Sequence, residues 1–480
     1  MTEAAAREDA VGESGGAPGT PQLRRLLTGV LGEGEISAIR PVTAGASKRI
    51  DLIDYLPAGG DGTPSTVVLR AEPTVGSDPD GMLREAALLT GAAERGVPVP
   101  RVLAAGRGGD DHPVPYVLTT FVAGESLAPR LLRRFAQEGG GEDFVRELGG
   151  YLARIHAMEV PDLIDPAGTD EHADWHERYR ALGVDSAAFE WAFRWLEENR
   201  PSEINRTLVH GDFRLGNLMV DSDRVTGVLD WELSHVGDPR EDLGWLGAPP
   251  WRFRSLHPVA GVGSREALLQ GYRDAGGLEI APEDLHWWEV LGTVKWGIMC
   301  LGRGREAADP GDRGLEFALI GRRFAECEYD VLRQLGWDSI EAGYATARRT
   351  VADAEALATA PAAATDATLP SAGEIEQSLT TSFGTDYGSR LQGAALQMVL
   401  REARAGARLR AHDQEALTRA GYVSEGDLAA SIRDRSDADV QCASLTDAEQ
   451  AAIEALVSTR LALANPTYLP RTYNHSGTCS

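Results

Sequence analysis

LVHGDFRLGNLMVDSDRVTGVLDWELSHVGDPREDL, running from Leu208 to Leu243, is the stretch from which the architecture of the whole chain can be read. Leu218 to Val220 and Val225 to Leu229 are short apolar runs around a polar turn at Asp221 to Arg224, the pattern of a β-hairpin. Antiparallel pairing of those runs sets Asn217 and Asp230 side by side at the open end of the hairpin. An amide oxygen and a carboxylate so placed suit a hard, oxygen-loving cation such as Mg²⁺, whose remaining ligands are normally water and phosphate. Asp212 precedes the hairpin and can accept a proton from a hydroxyl nucleophile. His210 suits bracing this loop by hydrogen bonding better than proton exchange. Asp238 and Asp242, in GDPREDL, suit fixing backbone amides and capping the next helix.

Taken in order, His210, Asp212, Asn217 and Asp230 resemble the catalytic loop and metal-binding segment of protein kinases, HRDxxxxN followed by DFG, with HGD for HRD and DWE for DFG. That variant resembles the aminoglycoside phosphotransferase and choline kinase-like superfamily. Within it, HGDFRxGN, VLDWELSxxGDPxxDL and the later KWGIMC are most similar to the kinase-like domains joined to, or encoded near, acyl-CoA dehydrogenases. The resemblance covers roughly Pro21 to Trp337. It implies an α+β, bilobal protein kinase-like fold with a β-rich N-lobe and a helical C-lobe. It also implies ATP and Mg²⁺ as cofactors, Asp212 as base, Asn217 and Asp230 as metal ligands, and a small-molecule hydroxyl as acceptor, with a hydroxyacyl-CoA or related metabolite preferred.

A nucleotide-binding lobe should then precede the hairpin, between Glu35 and Val122. Ile36 to Pro41 and Arg49 to Tyr55 read as strands flanking Thr43-Ala44-Gly45-Ala46-Ser47, which would cover phosphate. Gly45 supplies amides there and Ser47 or Lys48 a donor, although the same residues would serve any hairpin. Thr66 to Arg70 is an apolar strand ending where kinases place the lysine that grips phosphates. The chain has two lysines, Lys48 and Lys295, and neither ends this strand, so Arg70 takes the anchoring role with a larger, forked and permanently charged group. Glu85, in the helical run Gly81 to Arg95, is its natural ion-pair partner, or otherwise one more charge on a solvated helix face. Val97-Pro98-Val99-Pro100 ends that helix, and Tyr116 to Val122 reads as the strand entering the interlobe hinge. The resemblance makes Thr119, Thr120 and Phe121 candidates to frame adenine, with backbone groups doing the binding.

Beyond the hinge the periodicity turns helical. Phe144 to Met158 and Phe189 to Leu196 carry apolar residues at helical spacing, with Trp191 and Trp195 read as core. Leu285 to Arg303 reads as a largely buried helix whose Lys295 could contact substrate or, as the simpler reading, snorkel to solvent. With the lobes that the resemblance implies, the 480 residues divide into a tail (1–20), N-lobe (21–122), C-lobe (123–342), Ala-rich linker (343–370), a separate all-α module (371–468) and a final tail (469–480). In the module, Ser371 to Glu374 and Thr446 to Glu449 have the form of capping boxes, and Ile453, Leu456, Val457 and Leu461 form an apolar stripe.

The 73 acidic against 47 basic residues give a formal net charge of -26, which argues against nucleic acid as a partner. Hydrophobic content of 42% suffices for cores, no segment reaches membrane-spanning length, and the first residues lack the apolar stretch of a signal peptide. The four cysteines, Cys300, Cys327, Cys442 and Cys479, form no CxxC pair, which suits a reducing cytoplasm. Arg303, Arg305, Arg313 and Arg322 could meet the phosphates of an acyl-CoA, and read more simply as a polar helix surface. Oligomeric state is not legible. Two further readings stand beside the metabolite kinase: an antibiotic (aminoglycoside or macrolide) phosphotransferase, and a non-catalytic pseudokinase scaffold. Arg70 and the glycine-poor loop favour the scaffold; the full Asp212, Asn217 and Asp230 set disfavours it.

Overall fold

Alternation along two strands organises the first part of the chain. In strand β2 (Arg49–Pro57) Asp51, Ile53 and Tyr55 are buried, and in β3 (Ser65–Ala71) Val67, Leu69 and Ala71 are buried, the period of two expected of strands with one covered face. With β1 (Gly34–Val42), β4 (Val102–Gly106) and β5 (Tyr116–Thr120) they form an antiparallel sheet in the order β1-β2-β3-β5-β4. Helix α1 (Pro21–Leu31) lays Leu23, Leu26 and Leu27 on the face carrying Ile53, Tyr55, Val67 and Leu69. Helix α2 (Gly81–Glu94) packs Met82 and Ala86 against Val117, which alternation turns to the opposite face. Arg70 lies opposite Val117 in the β3–β5 register, so the sheet itself delivers it to the α2 side.

This computed structural model describes residues 21–42, 48–59, 62–73, 78–109, 112–168, 170–202, 205–306, 314–359, 384, 386–435 and 444–468. The chain divides into two compact units. The first joins the sheet to residues 157–166 and 216–235. The second holds residues 127–156, 167–215 and 236 onward.

The anticipated hairpin belongs to the first unit, as β6 (Leu218–Asp221) and β7 (Arg224–Val228). Its turn is shorter than the sequence suggested. Asp221 and Arg224 pair across the strands, leaving Ser222 and Asp223 as the turn, with Ser222 at φ 56. Opposite charges at the last rung favour that pairing, so the ladder runs one residue further on each strand.

The second unit is helical: α3 (Ala128–Glu138), α4 (Gly141–His156), α5 (Glu171–Ala181), α6 (Ala187–Glu198), α7 (Arg240–Gly247), α8 (Arg265–Asp274), α9 (Pro282–Glu306), α10 (Gly314–Arg322) and α11 (Phe324–Gln334). Helices α4 and α8 meet through glycine, for a Cβ on Gly149 would sit 2.2 Å from the Leu268 carbonyl oxygen. The C-terminal helices follow as α12 (Ile340–Thr359), α13 (Tyr387–Arg419), α14 (Glu425–Arg433) and α15 (Asp447–Ala464). The Thr446 to Glu449 capping box forms as read from the sequence, whereas Ser371 to Glu374 lies outside the described residues. All four residues of the anticipated stripe, Ile453, Leu456, Val457 and Leu461, are buried. They share one apolar cluster with Phe189 of α6, Val290 of α9 and Val331 of α11. Arg460 ties the same helices together through 2.6 Å contacts to Glu328 of α11 and Glu425 of α14. Among the described residues no helix is long and apolar enough to cross a membrane.

Candidate active site

In the first unit the chemistry gathers behind β3. The Arg70 guanidinium donates from Nη1 to Glu85 Oε1 at 2.7 Å and from Nη2 to Asp230 Oδ1 at 3.4 Å. Glu85 is buried, so it is not a solvated helix-face residue. Burial works against the Arg70 charge, but Glu85 and Asp230 outweigh it and its pKa is raised. Burial pushes the Glu85 carboxyl upward against the pull of Arg70.

The hairpin aims the two oxygen donors. Leu218 pairs with Val228, and the Leu229 amide donates to the Asn217 carbonyl at 2.9 Å, so Asn217 and Asp230 lie at the open end of the hairpin, opposite its turn. Asp230 takes φ 65, a left-handed conformation that costs a non-glycine residue energy. An amide oxygen and a carboxylate are donor types that suit Mg²⁺. Of the remaining predicted nucleotide contacts, Gly45 and Ser47 lie outside the described residues. Lys48 pairs with Glu72. Thr119 is buried in β5, the Thr120 hydroxyl accepts from the Arg101 amide at 2.9 Å, and Phe121 is exposed just beyond the strand.

In the second unit a buried network fixes the loop that carries His210 and Asp212. Asp242 of α7 is wholly buried and accepts from the amides of His210 (2.7 Å) and Gly211 (2.9 Å). This is the amide-fixing role anticipated from GDPREDL. His156 adds a 3.0 Å contact to the same carboxylate. Burial alone would raise the Asp242 pKa; the His156 hydrogen bond and the surrounding donors win and lower it. Asp238 likewise accepts from the Arg240 and Asn205 amides, at 3.0 and 3.1 Å. His210 is fully buried, and its Nδ1 accepts from the Asp212 amide at 3.3 Å, the bracing geometry its position suggested.

Asp212 is oriented by two residues that the sequence did not single out. Trp245 Nε1 and Arg214 Nε each donate to Asp212 Oδ1 at 2.9 Å. Arg214 in turn lies over the Trp251 ring, 4.6 Å from its centroid. Trp245 lies 33 residues from Asp212 in sequence and Arg214 two residues after it, and neither spacing marks a residue as facing that carboxylate.

Lys295 does not snorkel. It is buried, with Nζ 2.8 Å from Glu241 Oε1 and 3.4 Å from the Gly211 carbonyl, between the Trp175 and Trp245 rings at 5.4 and 5.1 Å. Burial disfavours its charge, yet Glu241 and Glu171 hold its pKa above the usual lysine value. Its stem has no route to solvent because α9 is enclosed on both sides at this level, with Val294 and Thr293 completely buried.

An antiparallel sheet with an Arg–Glu pair spanning its third strand and following helix, an Asn–Asp hairpin and a braced HGD loop define a kinase-like phosphotransferase. The chain belongs to the phosphotransferase enzyme family, whose profile matches residues 39–287. It is 31% identical over 225 residues to acyl-CoA dehydrogenase family member 10 of Mus musculus, covering 43% of this chain and 20% of that protein. It is 35% identical over 170 residues to acyl-CoA dehydrogenase family member 11 of Homo sapiens, covering 32% and 22%. The chain thus spans about a fifth of the length of these relatives. A crystal structure from Ralstonia eutropha, assigned to the aminoglycoside phosphotransferases, superposes with a TM-score of 0.52 at 22% identity, over 65% of this chain and 97% of that one, and shares the fold.

Proposed function

We propose that this phosphotransferase moves the γ-phosphoryl group of ATP to a hydroxyl of a small molecule, with a hydroxyacyl-CoA or a related hydroxylated metabolite as acceptor. The observation that carries the reading is the Arg70, Glu85 and Asp230 cluster, with Asn217 at the same end of the hairpin. A permanently charged fork held by one carboxylate and touching a second is a phosphate anchor beside a metal ligand. When bound, Mg²⁺ would supply charge neutralisation at the phosphate oxygens.

The residues divide the work. Asn217 and Asp230 offer oxygens to the cation, and Arg70 donates to phosphate. Backbone groups at Thr119 to Phe121 frame the base, and Gly45, Ser47 and Lys48 belong to the phosphate-covering turn. Asp212 takes the proton of the attacking hydroxyl as its oxygen bonds to the γ-phosphorus and the bond to the β–γ bridging oxygen breaks, releasing ADP, while His210, through its bond to the Asp212 amide, keeps the loop in shape. Trp245 and Arg214 hold Asp212 in one orientation before substrate arrives. The acceptor class is supported by the similarity to the two acyl-CoA dehydrogenase family members.

Calorimetry with ATP, with and without Mg²⁺, combined with a turnover screen over hydroxylated metabolites and hydroxyacyl-CoAs, tests the reading. Asp230→Ala should abolish the Mg²⁺-dependent part of ATP binding. Asp212→Asn should keep ATP binding and lose turnover by about a hundredfold or more. Full turnover in Asp212→Asn removes that residue from the mechanism, and absence of ATP binding by the wild-type chain removes the reading.

A further inference from the structure

A second concave site lies among the C-terminal helices. Helices α10 and α13 and the residues just after α15 enclose a groove of about 340 Å³, inside the range of small-molecule sites. Its apolar lining includes Leu319, Met398 and Pro466, and its charged lining is Arg322, Arg323 and Arg401 against one acid, Glu326. Three cations to one anion is the reverse of the chain as a whole, which carries 73 acidic and 47 basic residues.

Local partners do not cancel that surplus. Glu326 is consumed by Arg323 at 3.1 Å and by the Asn465 amide nitrogen at 2.9 Å. Arg401 spends Nε and Nη2 on the carbonyls of Leu463 and Ala464, at 2.9 and 3.2 Å, which fixes the guanidinium at the end of α15. Among the described residues Arg322 pairs with Glu402, at 3.7 Å and half exposed, a weak pair in water. Burial lowers the Arg401 pKa, Glu355 opposes it, and the like charge of Arg322 adds a smaller downward push. An anion arriving here would meet two positive charges without first breaking a buried ion pair.

We propose that this groove binds a small amphipathic anion, a carboxylate or phosphate monoester on a short apolar body, with Arg322 and Arg401 taking the head and Leu319 and Met398 the body. Arginine rather than lysine suits a planar or tetrahedral oxyanion because its fork offers paired donors. A groove of about 340 Å³, near the lower end of small-molecule sites, suits a short apolar body. The site is independent of the phosphotransfer residues and stands or falls separately from the proposed activity.

Calorimetry on the full chain with hexyl phosphate, hexanoate, hexanol and inorganic phosphate decides the matter. One saturable site for hexyl phosphate or hexanoate is expected, with hexanol and inorganic phosphate each at least about tenfold weaker. The ratio of hexyl phosphate to hexanoate affinity separates a phosphate from a carboxylate preference. Arg322→Glu, on an exposed side chain, and Met398→Trp, which fills the groove, should each weaken binding by about tenfold or more while the circular dichroism spectrum is kept. No saturable binding by the wild-type protein, or equal binding by both folded variants, overturns the proposal.

Discussion

Trp245 donates its indole N–H to Asp212 Oδ1 at 2.9 Å, from a ring that is itself almost wholly buried. A hydrogen bond to a carboxylate contributes about 1.5–3 kcal/mol, and a rigid indole spends little entropy to make it. Trp245→Phe keeps most of the packing and removes the N–H. Turnover should fall by roughly tenfold with the ATP dissociation constant unchanged, because only the orientation of Asp212 is altered. A matching loss of ATP affinity would instead mean that the substitution disturbs the loop as a whole.

The Arg70–Glu85 pair predicts a stability effect as well as a binding effect. Glu85 is buried against α2 and the sheet, so Arg70→Met leaves an uncompensated carboxylate in the core of the first unit. Removing one partner of a buried pair costs about 3–5 kcal/mol, whereas Arg70→Met combined with Glu85→Leu should recover most of that loss. Urea denaturation of the wild type and these two variants reads this directly. Arg70→Lys should fold normally and bind ATP, since an ammonium can reach the same carboxylates with a single charge. If the double variant is no more stable than Arg70→Met, the pair does not share one buried site.

Much of this was legible because local pattern and tertiary role coincide. The β2, β3 and β5 strands alternate or run apolar, and the HGD, Asn217 and Asp230 spacing is dictated by a hairpin whose length the sequence displays. The turn was misjudged because Asp221 and Arg224 look like loop residues until they are seen to pair with each other. Lys295 was misjudged because a lysine on an apolar helix snorkels by default, and its partners Glu241 and Glu171 lie far away in sequence. Trp245 and Arg214 were missed for the same reason: aromatic and basic residues around a loop have no periodicity that marks them as oriented toward one carboxylate. Helix α13, 33 residues long, was not singled out because few of its side chains are buried and its apolar stripe is weak.

Arg460 fastens the C-terminal helices. Its guanidinium reaches Glu328, which is fully buried in α11, and Glu425 of α14. Burial pushes the Glu328 carboxyl upward while Arg460 pulls it back. Arg460→Leu should therefore lower stability by about 3–5 kcal/mol, measured as a shift in the guanidinium chloride midpoint, and should expose α14 and α15 to limited proteolysis first. Replacing Glu328 by Gln in the Arg460→Leu background should restore part of the loss by removing the stranded charge. Uniform cleavage across the chain, with α14 and α15 no more susceptible than α9, would place the weakness elsewhere.

Asp330 predicts how stability changes with pH. It is buried in α11 and accepts from the Tyr468 hydroxyl at 2.6 Å, with Glu326 nearby and Arg252 and Arg323 as the closest cations. Burial is the dominant influence and pushes its pKa to about 7, against the hydrogen bond from Tyr468, which pulls it down. In the unfolded chain the group titrates near 3.9, so between about pH 4 and pH 7 the folded state binds the extra proton. The stability from this group is fully present below the unfolded pKa and is lost as pH rises through the folded one. Asp330→Asn mimics the protonated form and cannot ionise. Its melting temperature should be close to that of the wild type at about pH 4 and higher than the wild type at about pH 8.5, the difference opening between about pH 4 and pH 7 and levelling off above that. A difference that stays flat across that range would show that Asp330 titrates like a surface carboxylate and that Tyr468 alone sets its environment.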